Sequence, residues 1–195
     1  MRFFFIALLF STAVLGGNQE REQLSDLARK RLAALAGEKA PPRLLFRNAQ
    51  DARRWQEEMS RRLEKRMPDR RIRYEFLRTV HFEAKNNGLN PQLVLALIEV
   101  ESGFRKYAVS VASARGYMQV MPFWTEEARR PKDNLFHLRT NLVYGCFILG
   151  LYLDRDKNDL YRALGRYNGS LGKPEYPNLV IGALKSRWAY DGPTD

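Results

Sequence analysis

The chain has 195 residues, of which 45% are apolar, 12% aromatic and 28% charged. This length supports one well-packed core and is too short for two ordinary domains. The apolar content excludes general disorder, collagen and polytopic membrane architectures. Lys and Arg number 33 against 22 Asp and Glu, which gives a formal charge of +11. With a single cysteine, Cys146, and two histidines, an internal disulfide framework and a multi-thiolate zinc site are excluded, and we expect no metal or cofactor.

Residues 1–17 have the pattern of a secretory signal. A Met-Arg pair precedes an apolar run over residues 3–10, and a stretch of small residues follows it. The run is shorter than the roughly 18 to 20 apolar residues of a membrane-spanning helix, which favours a cleaved peptide. Cleavage after Ala13, Gly16 or Gly17 fits the small residues at the end, and no cysteine stands there to carry a lipid anchor. We therefore expect an exported protein.

A basic helical extension is predicted over residues 18–70. Between residues 20 and 78 there are 17 Lys and Arg against 10 Asp and Glu, so most of the positive excess lies in this third of the chain. Apolar residues at helical spacing predict one helix that ends at Gly37 and a second, containing Trp55 and Met59, that ends near Pro68. Two interpretations of the many arginines stay open: a solvated outer face, or attraction to an anionic surface.

The helix predicted over residues 90–103 carries the most informative carboxylate. It begins with an Asn-Pro cap and ends at a glycine. Glu101 lies on the same stripe as Val94 and Leu97, whereas Glu99 lies on the other side and is expected to be solvated. A carboxyl among aliphatic side chains keeps its proton near neutral pH, because its ionisation there is costly. Glu101 is therefore a candidate general acid; the alternative is a buried glutamate paired with an arginine or a backbone amide.

A loop of small residues follows this helix. Residues 108–116 are mostly Ala, Ser, Val and Gly, which form little core and can approach a ligand closely. They lead into the peptide at residues 117–122, in which Gln119 offers a neutral donor and acceptor suited to sugar hydroxyl or acetamido groups. Taken alone, this peptide is ambiguous.

Three more helices are predicted downstream. Residues 138–153 are apolar on nearly every face, which is typical of a central helix. An amphipathic helix that ends at Asn168 and a last helix that begins near Glu175 follow. No alternating pattern of convincing length predicts a strand, and His81 and His137 are expected at the surface or at helix ends.

Three motifs, in this order, resemble those of the lytic transglycosylases that have a soluble-lytic-transglycosylase (SLT), goose-lysozyme-like catalytic domain. They are Glu101-Ser102-Gly103-Phe104, then Ala108-Val109-Ser110 together with residues 114–122, and then Arg166-Tyr167-Asn168-Gly169. The resemblance implies an all-α, lysozyme-like helical domain, with at most a minimal β-hairpin, over residues 71–190. The basic extension would precede it, and a short tail at residues 191–195 would follow.

The resemblance also implies the site and its reaction. Glu101 looks like the catalytic acid and then base, with the hydroxyl of Tyr167 oriented toward it. The substrate-binding residues would be Ser110, Gly116, Tyr117, Met118, Gln119 and Asn168. The expected enzyme is a peptidoglycan lytic transglycosylase that cleaves the β-1,4 bond between N-acetylmuramic acid and N-acetylglucosamine and leaves a 1,6-anhydromuramoyl end. Ordinary glycosidases use two carboxylates, whereas this motif region supplies one.

Two alternatives stay open: a lysozyme-type muramidase that hydrolyses the same bond, and a non-catalytic peptidoglycan-binding module for envelope assembly. The expected partners are peptidoglycan glycan strands, with an anionic cell-envelope surface and an envelope machine as further candidates. No specific nucleic acid is expected, because the basic residues are not interleaved with aromatics in a reading motif. The expected location is the periplasm of a Gram-negative bacterium, with membrane association where the signal stays uncleaved; the oligomeric state is left open.

Overall fold

The computed structural model describes residues 19, 23–38 and 40–192, so the predicted signal at residues 1–17 lies outside the described residues. The described chain forms eight α-helices and one π-helical turn: α1 (Asp26–Gly37), α2 (Ala49–Leu63), α3 (Arg70–Asn86), α4 (Pro91–Ser102), α5 (Phe123–Glu127), α6 (Leu138–Arg155), α7 (Leu160–Asn168), α8 (Glu175–Ala183) and the turn Leu184–Trp188. Its only β-pairing within these ranges is a pair of isolated antiparallel bridges that join Arg115 to Val109 and to Val120. The all-α prediction, with at most minimal β structure, is confirmed.

Helix α4 begins and ends where the sequence predicts. The Asn90 side chain accepts a hydrogen bond from the Gln92 N–H, Pro91 occupies the first turn, and Gly103 ends the helix with φ of 57° in the left-handed region. Every residue from Pro91 to Ile98 is buried. This helix packs against α3, α8 and the π-helical turn, while α6, buried on most faces, packs against α1, α3 and α7. Helices α4 and α6 thus form the centre of the fold.

The extension shares the hydrophobic core of the rest of the chain. Leu32 of α1 and Trp55 of α2 are buried against α6 and α3, respectively. The surface position expected for His81 is wrong: its ring is buried, stacks on Phe46 at 4.5 Å between ring centroids, and its Nδ1 accepts a hydrogen bond from the Leu45 N–H at 3.3 Å. The reason is that α2 and the segment before it cover this face of α3.

Not all of the arginines between residues 20 and 78 form a solvated face. Arg73 is buried, and its guanidinium donates to the Ser60 hydroxyl and to the carbonyls of Met67 and Pro68. Arg53, by contrast, is exposed. Within the described ranges, no helix has both the length and the apolar character needed to span a membrane.

Candidate active site

Glu101 lies in the last turn of α4 and is completely buried. The Tyr176 hydroxyl donates a hydrogen bond to its Oε1 at 2.5 Å, and its Oε2 has no hydrogen-bond partner among the described residues. Burial raises the pKa of the Glu101 carboxyl from 4.5 to about 8, and the hydrogen bond from Tyr176 offsets part of that rise. The arginine or backbone-amide partner of the alternative interpretation is not observed at this carboxyl. Glu101 is therefore protonated at neutral pH.

Glu99, on the same helix, has the opposite environment. The Nε of Arg187 lies 2.9 and 3.0 Å from its two oxygens, the Trp188 indole N–H donates to it at 2.6 Å, and Arg66 forms an ion pair at 2.8 Å. Burial raises the pKa of Glu99, but these hydrogen bonds and charges outweigh it and lower the pKa below its ordinary value. The expectation that Glu99 is solvated is wrong, because the π-helical turn and the end of α2 enclose it.

The turn at residues 116–119 is shaped by α6. Asn141, completely buried, accepts from the Met118 N–H at 2.8 Å and donates to the carbonyls of Arg115 and Leu135 at 2.8 and 2.9 Å. At Gly116, φ is 78°, and a Cβ would lie 2.4 Å from the Asn141 amide nitrogen. Only glycine fits this position without displacing Asn141.

Gln119 is held rigidly inside this turn. Its side chain is completely buried, and its Nε2 donates to the carbonyls of Ala108 and Gly116 at 3.1 and 2.9 Å. Its Oε1 has no hydrogen-bond partner among the described residues. Ser110, nearly buried, closes the neighbouring loop, because its Oγ accepts from the Ala114 N–H at 3.1 Å. The amide group of Gln119 is thus fixed with its donor side used and its acceptor side free.

Two of the predicted cleft residues belong to the packed core. The ring of Tyr117 lies 5.0 Å from that of Phe76, and burial raises the pKa of its hydroxyl to about 12. Met118 is completely buried, and its Sδ occupies the space that a side chain at Gly145 would take, with a Cβ there only 2.4 Å away. Asn168 is half-buried at the end of α7.

The structure places Tyr176, rather than Tyr167, in hydrogen-bond contact with Glu101. The Tyr167 hydroxyl donates instead to the Met118 carbonyl at 2.8 Å. It remains a close neighbour: burial raises its pKa well above the ordinary value, and the charge of Glu101 raises it further. Tyr176 comes from the first turn of α8, which packs against α4. In the sequence, its only signal is an aromatic residue on an apolar stripe shared with Val180 and Ala183.

Chemically, these groups form a site with one proton donor. The pKa of Glu101 is set by burial and by Tyr176, with no contribution from another carboxylate. The described part of the chain has no cluster of three or more His, Cys, Asp or Glu side chains that could hold a metal ion. A helical fold with a completely buried acid that accepts a hydrogen bond from one tyrosine and lies near a second defines a lysozyme-like, acid–base class of protein.

The family follows from comparison with known proteins. Residues 78–176, just over half of the chain, match the family model of the transglycosylase SLT domain. The chain belongs to this family, a lysozyme-like helical fold, as the three motifs predict.

Curated relatives are similar over a shorter segment. The chain is 50% identical over 48 residues to membrane-bound lytic murein transglycosylase C of Actinobacillus pleuropneumoniae serotype 5b (strain L20), which is 25% of this chain and 13% of that protein. Proteins of the same name from Glaesserella parasuis and Haemophilus ducreyi are 47% identical over 47 residues and 46% identical over 48 residues, covering 24% and 25% of this chain. In each case the match spans 13% of the relative's length.

Proposed function

We propose that this protein is a peptidoglycan lytic transglycosylase. It cleaves the β-1,4 bond between N-acetylmuramic acid and N-acetylglucosamine and leaves a 1,6-anhydromuramoyl end. The observation that carries the proposal is Glu101: a fully buried carboxyl with a pKa of about 8, in a chain of the SLT family. Its relatives are named murein transglycosylases, which supports the same substrate.

In the first step, Glu101 acts as an acid. At neutral pH its carboxyl holds the proton that the glycosidic oxygen must receive as the bond to the anomeric carbon breaks. The product of this transfer is a buried carboxylate, whose charge the apolar surroundings disfavour. The Tyr176 hydroxyl, already directed at Oε1, donates a hydrogen bond that strengthens as the charge develops.

In the second step, Glu101 acts as a base. No second carboxylate influences it, so the acetamido carbonyl of the substrate stabilises the positive charge at the anomeric carbon. The Glu101 carboxylate then removes the proton of the muramoyl 6-hydroxyl, whose oxygen bonds to the anomeric carbon. The proton given to the leaving sugar is thereby recovered, and no water is consumed.

Two buried oxygens support a sugar ligand at this site. Oε2 of Glu101 and Oε1 of Gln119 are both buried without a hydrogen-bond partner among the described residues. Buried polar atoms are nearly always satisfied, so such atoms mark positions where a ligand or ordered water supplies the partner. We assign Ser110, Gln119 and Asn168 to holding the glycan beside Glu101. Gly116, Tyr117 and Met118 support the wall of the cleft from the packed core, and Tyr167 supports the acid.

The wider setting follows from the same proposal. The catalytic unit spans residues 71–190, and the protein works in the periplasm or at a membrane surface, as its membrane-bound relatives suggest. Exposed arginines of the extension, such as Arg53, Arg54 and Arg61, would attract the anionic cell envelope.

Product analysis of digested sacculi tests the function. We expect muropeptides with anhydro ends, each lighter by one water than the corresponding hydrolysis product, and no release by Glu101→Gln, because an amide cannot donate the proton. Glu126→Gln, an exposed side chain close to the cleft peptide, is the matched control and should retain release. Reducing ends would identify a muramidase, and binding without soluble products would identify a non-catalytic module; either result overturns the proposal.

A further inference from the structure

Gln19, far outside the family-matched region, is buried in the candidate site with 5% of its surface exposed. Its Oε1 accepts a hydrogen bond from the Trp124 indole N–H at 2.8 Å, and the Met121 N–H points at the same oxygen from 3.5 Å. Gln19 also lies beside the Tyr167 hydroxyl, where it slightly opposes the rise in pKa that burial and Glu101 cause. Gln19 thus contacts Tyr167, a neighbour of the proposed acid.

These contacts matter because Glu101 is completely buried. A glycosidic oxygen must come within hydrogen-bond distance of the carboxyl, so some group now in the site has to move before the reaction. Gln19 does not belong to the family-matched domain, and it packs against Trp124 and Tyr167. Its displacement would open part of the site without disturbing the hydrogen bonds that hold Gln119.

The start of α1 lies close to the helix that carries Trp124. Arg29 donates from Nε to the Glu127 carbonyl at 2.9 Å and from its terminal nitrogen to the Leu24 carbonyl at 3.1 Å. Leu24 is buried, and Glu127 ends the short helix that carries Trp124. Leu24 comes five positions after Gln19, and a fully extended chain of that length reaches at most about 17 Å. Gln19 is therefore confined near the start of α1, which gives its side chain a high effective concentration beside Trp124.

The hydrogen bonds of Gln19 are those that a sugar could replace. Its carboxamide oxygen is the same kind of acceptor as the acetamido carbonyl of an N-acetyl sugar. Its Nε2 is buried but makes no hydrogen bond of ordinary length, so the fit is incomplete. A ligand with better-matched groups can therefore displace it.

We propose that the Gln19 side chain is an autoinhibitory plug that an N-acetylated glycan strand displaces from the Trp124 and Met121 donors. The role of the plug in turnover rests on the proposed function, whereas the position of Gln19 is independent of that function. Each predicted signal-cleavage position, after Ala13, Gly16 or Gly17, leaves Gln19 in the mature chain.

The test compares Gln19→Ala with Gln23→Ala in the full chain. Gln23 is the matched control, because it is an exposed glutamine of the same segment. Loss of one good hydrogen bond to a buried group should raise kcat/KM on peptidoglycan about five-fold in Gln19→Ala and leave it unchanged in Gln23→Ala. The second readout is the NMR resonance of the Trp124 indole proton, which the variant Trp124→Phe serves to assign. In Gln19→Ala, without any substrate, this resonance should shift and the proton should exchange faster with water.

The outcomes separate the two proposals. Equal kcat/KM for wild type and Gln19→Ala, or an unshifted Trp124 indole resonance in Gln19→Ala, overturns the plug. If the wild type is inactive on peptidoglycan, the proposed function fails. The plug is then judged by binding of a chitooligosaccharide, which Gln19→Ala should bind about five-fold tighter than wild type or Gln23→Ala; equal or undetectable binding overturns it.

Discussion

Replacing Glu101 by Gln should make the protein more stable at alkaline pH. Because the pKa of Glu101 is about 8 in the folded chain and near 4.5 in an ordinary environment, the folded state binds one more proton than the unfolded state between these values. The free energy of unfolding then falls as pH rises through this window. At about 1.36 kcal/mol per pH unit, the total loss in the wild type is on the order of 5 kcal/mol. Gln does not titrate and avoids this loss.

Urea unfolding of both proteins at intervals from pH 5 to 8.5 measures the effect. The unpartnered amide nitrogen of Gln replaces an equally unpartnered carboxyl oxygen, so its cost is a constant offset. Other titrating groups are shared and cancel in the difference. We expect the stability of Glu101→Gln relative to wild type to increase with pH, by several kcal/mol across the range.

Glu99→Gln is the control, because the pKa of Glu99 is shifted in the opposite direction and its stability difference from wild type should stay flat from pH 5 to 8.5. The pKa of Glu99 is lowered, because its hydrogen bonds and ion pairs outweigh its burial. Its carboxylate therefore stabilises the fold at neutral pH, and that contribution is lost as pH falls through the folded pKa. Parallel stability curves for wild type and Glu101→Gln would refute the raised pKa and, with it, the role of Glu101 as a proton donor.

Three further substitutions, one of them with a matched control, test the tyrosine contact of the acid and the packing around residues 116–119. Tyr176→Phe removes the donor to Glu101 and should raise the basic midpoint of the kcat/KM profile by about one pH unit; an unmoved midpoint would contradict this contact. Gly145→Ala forces a Cβ against Met118 and should cost about 1–3 kcal/mol in urea unfolding. Gly182→Ala, with no heavy atom within 4 Å, should instead gain about 0.4–1 kcal/mol; equal effects would refute the packing. Asn141→Ala leaves buried backbone groups unpaired and should lower stability by roughly 3 kcal/mol, whereas a loss below about 1 kcal/mol would contradict those hydrogen bonds.

The family and the helical class could be predicted from the sequence because their signals are local. An Asn-Pro cap, a glycine stop and an apolar stripe place Glu101 on the inner face of α4, and the burial observed there confirms that placement. Helical periodicity indicates which face of a helix is buried, so the sequence also predicted that Glu101 and Glu99 lie on different faces of α4. It does not report what lies against either face, and Glu99 was wrongly expected in solvent.

The partners of these groups were decided only by tertiary structure. Tyr176 reaches Glu101 because α8 packs on α4, and Asn141 holds the turn before Gln119 from the first turn of α6. Gln19 contacts Trp124 from more than 100 residues earlier in the chain. Each hydrogen bond joins residues far apart in sequence, and its geometry depends on how two helices or a segment and a domain pack. The sequence by itself determined that one carboxyl is buried among aliphatic side chains. Whether that carboxyl meets a tyrosine, an arginine or another acid, and hence its pKa, was set by the packing of distant helices, because desolvation and hydrogen bonding act through space rather than along the chain.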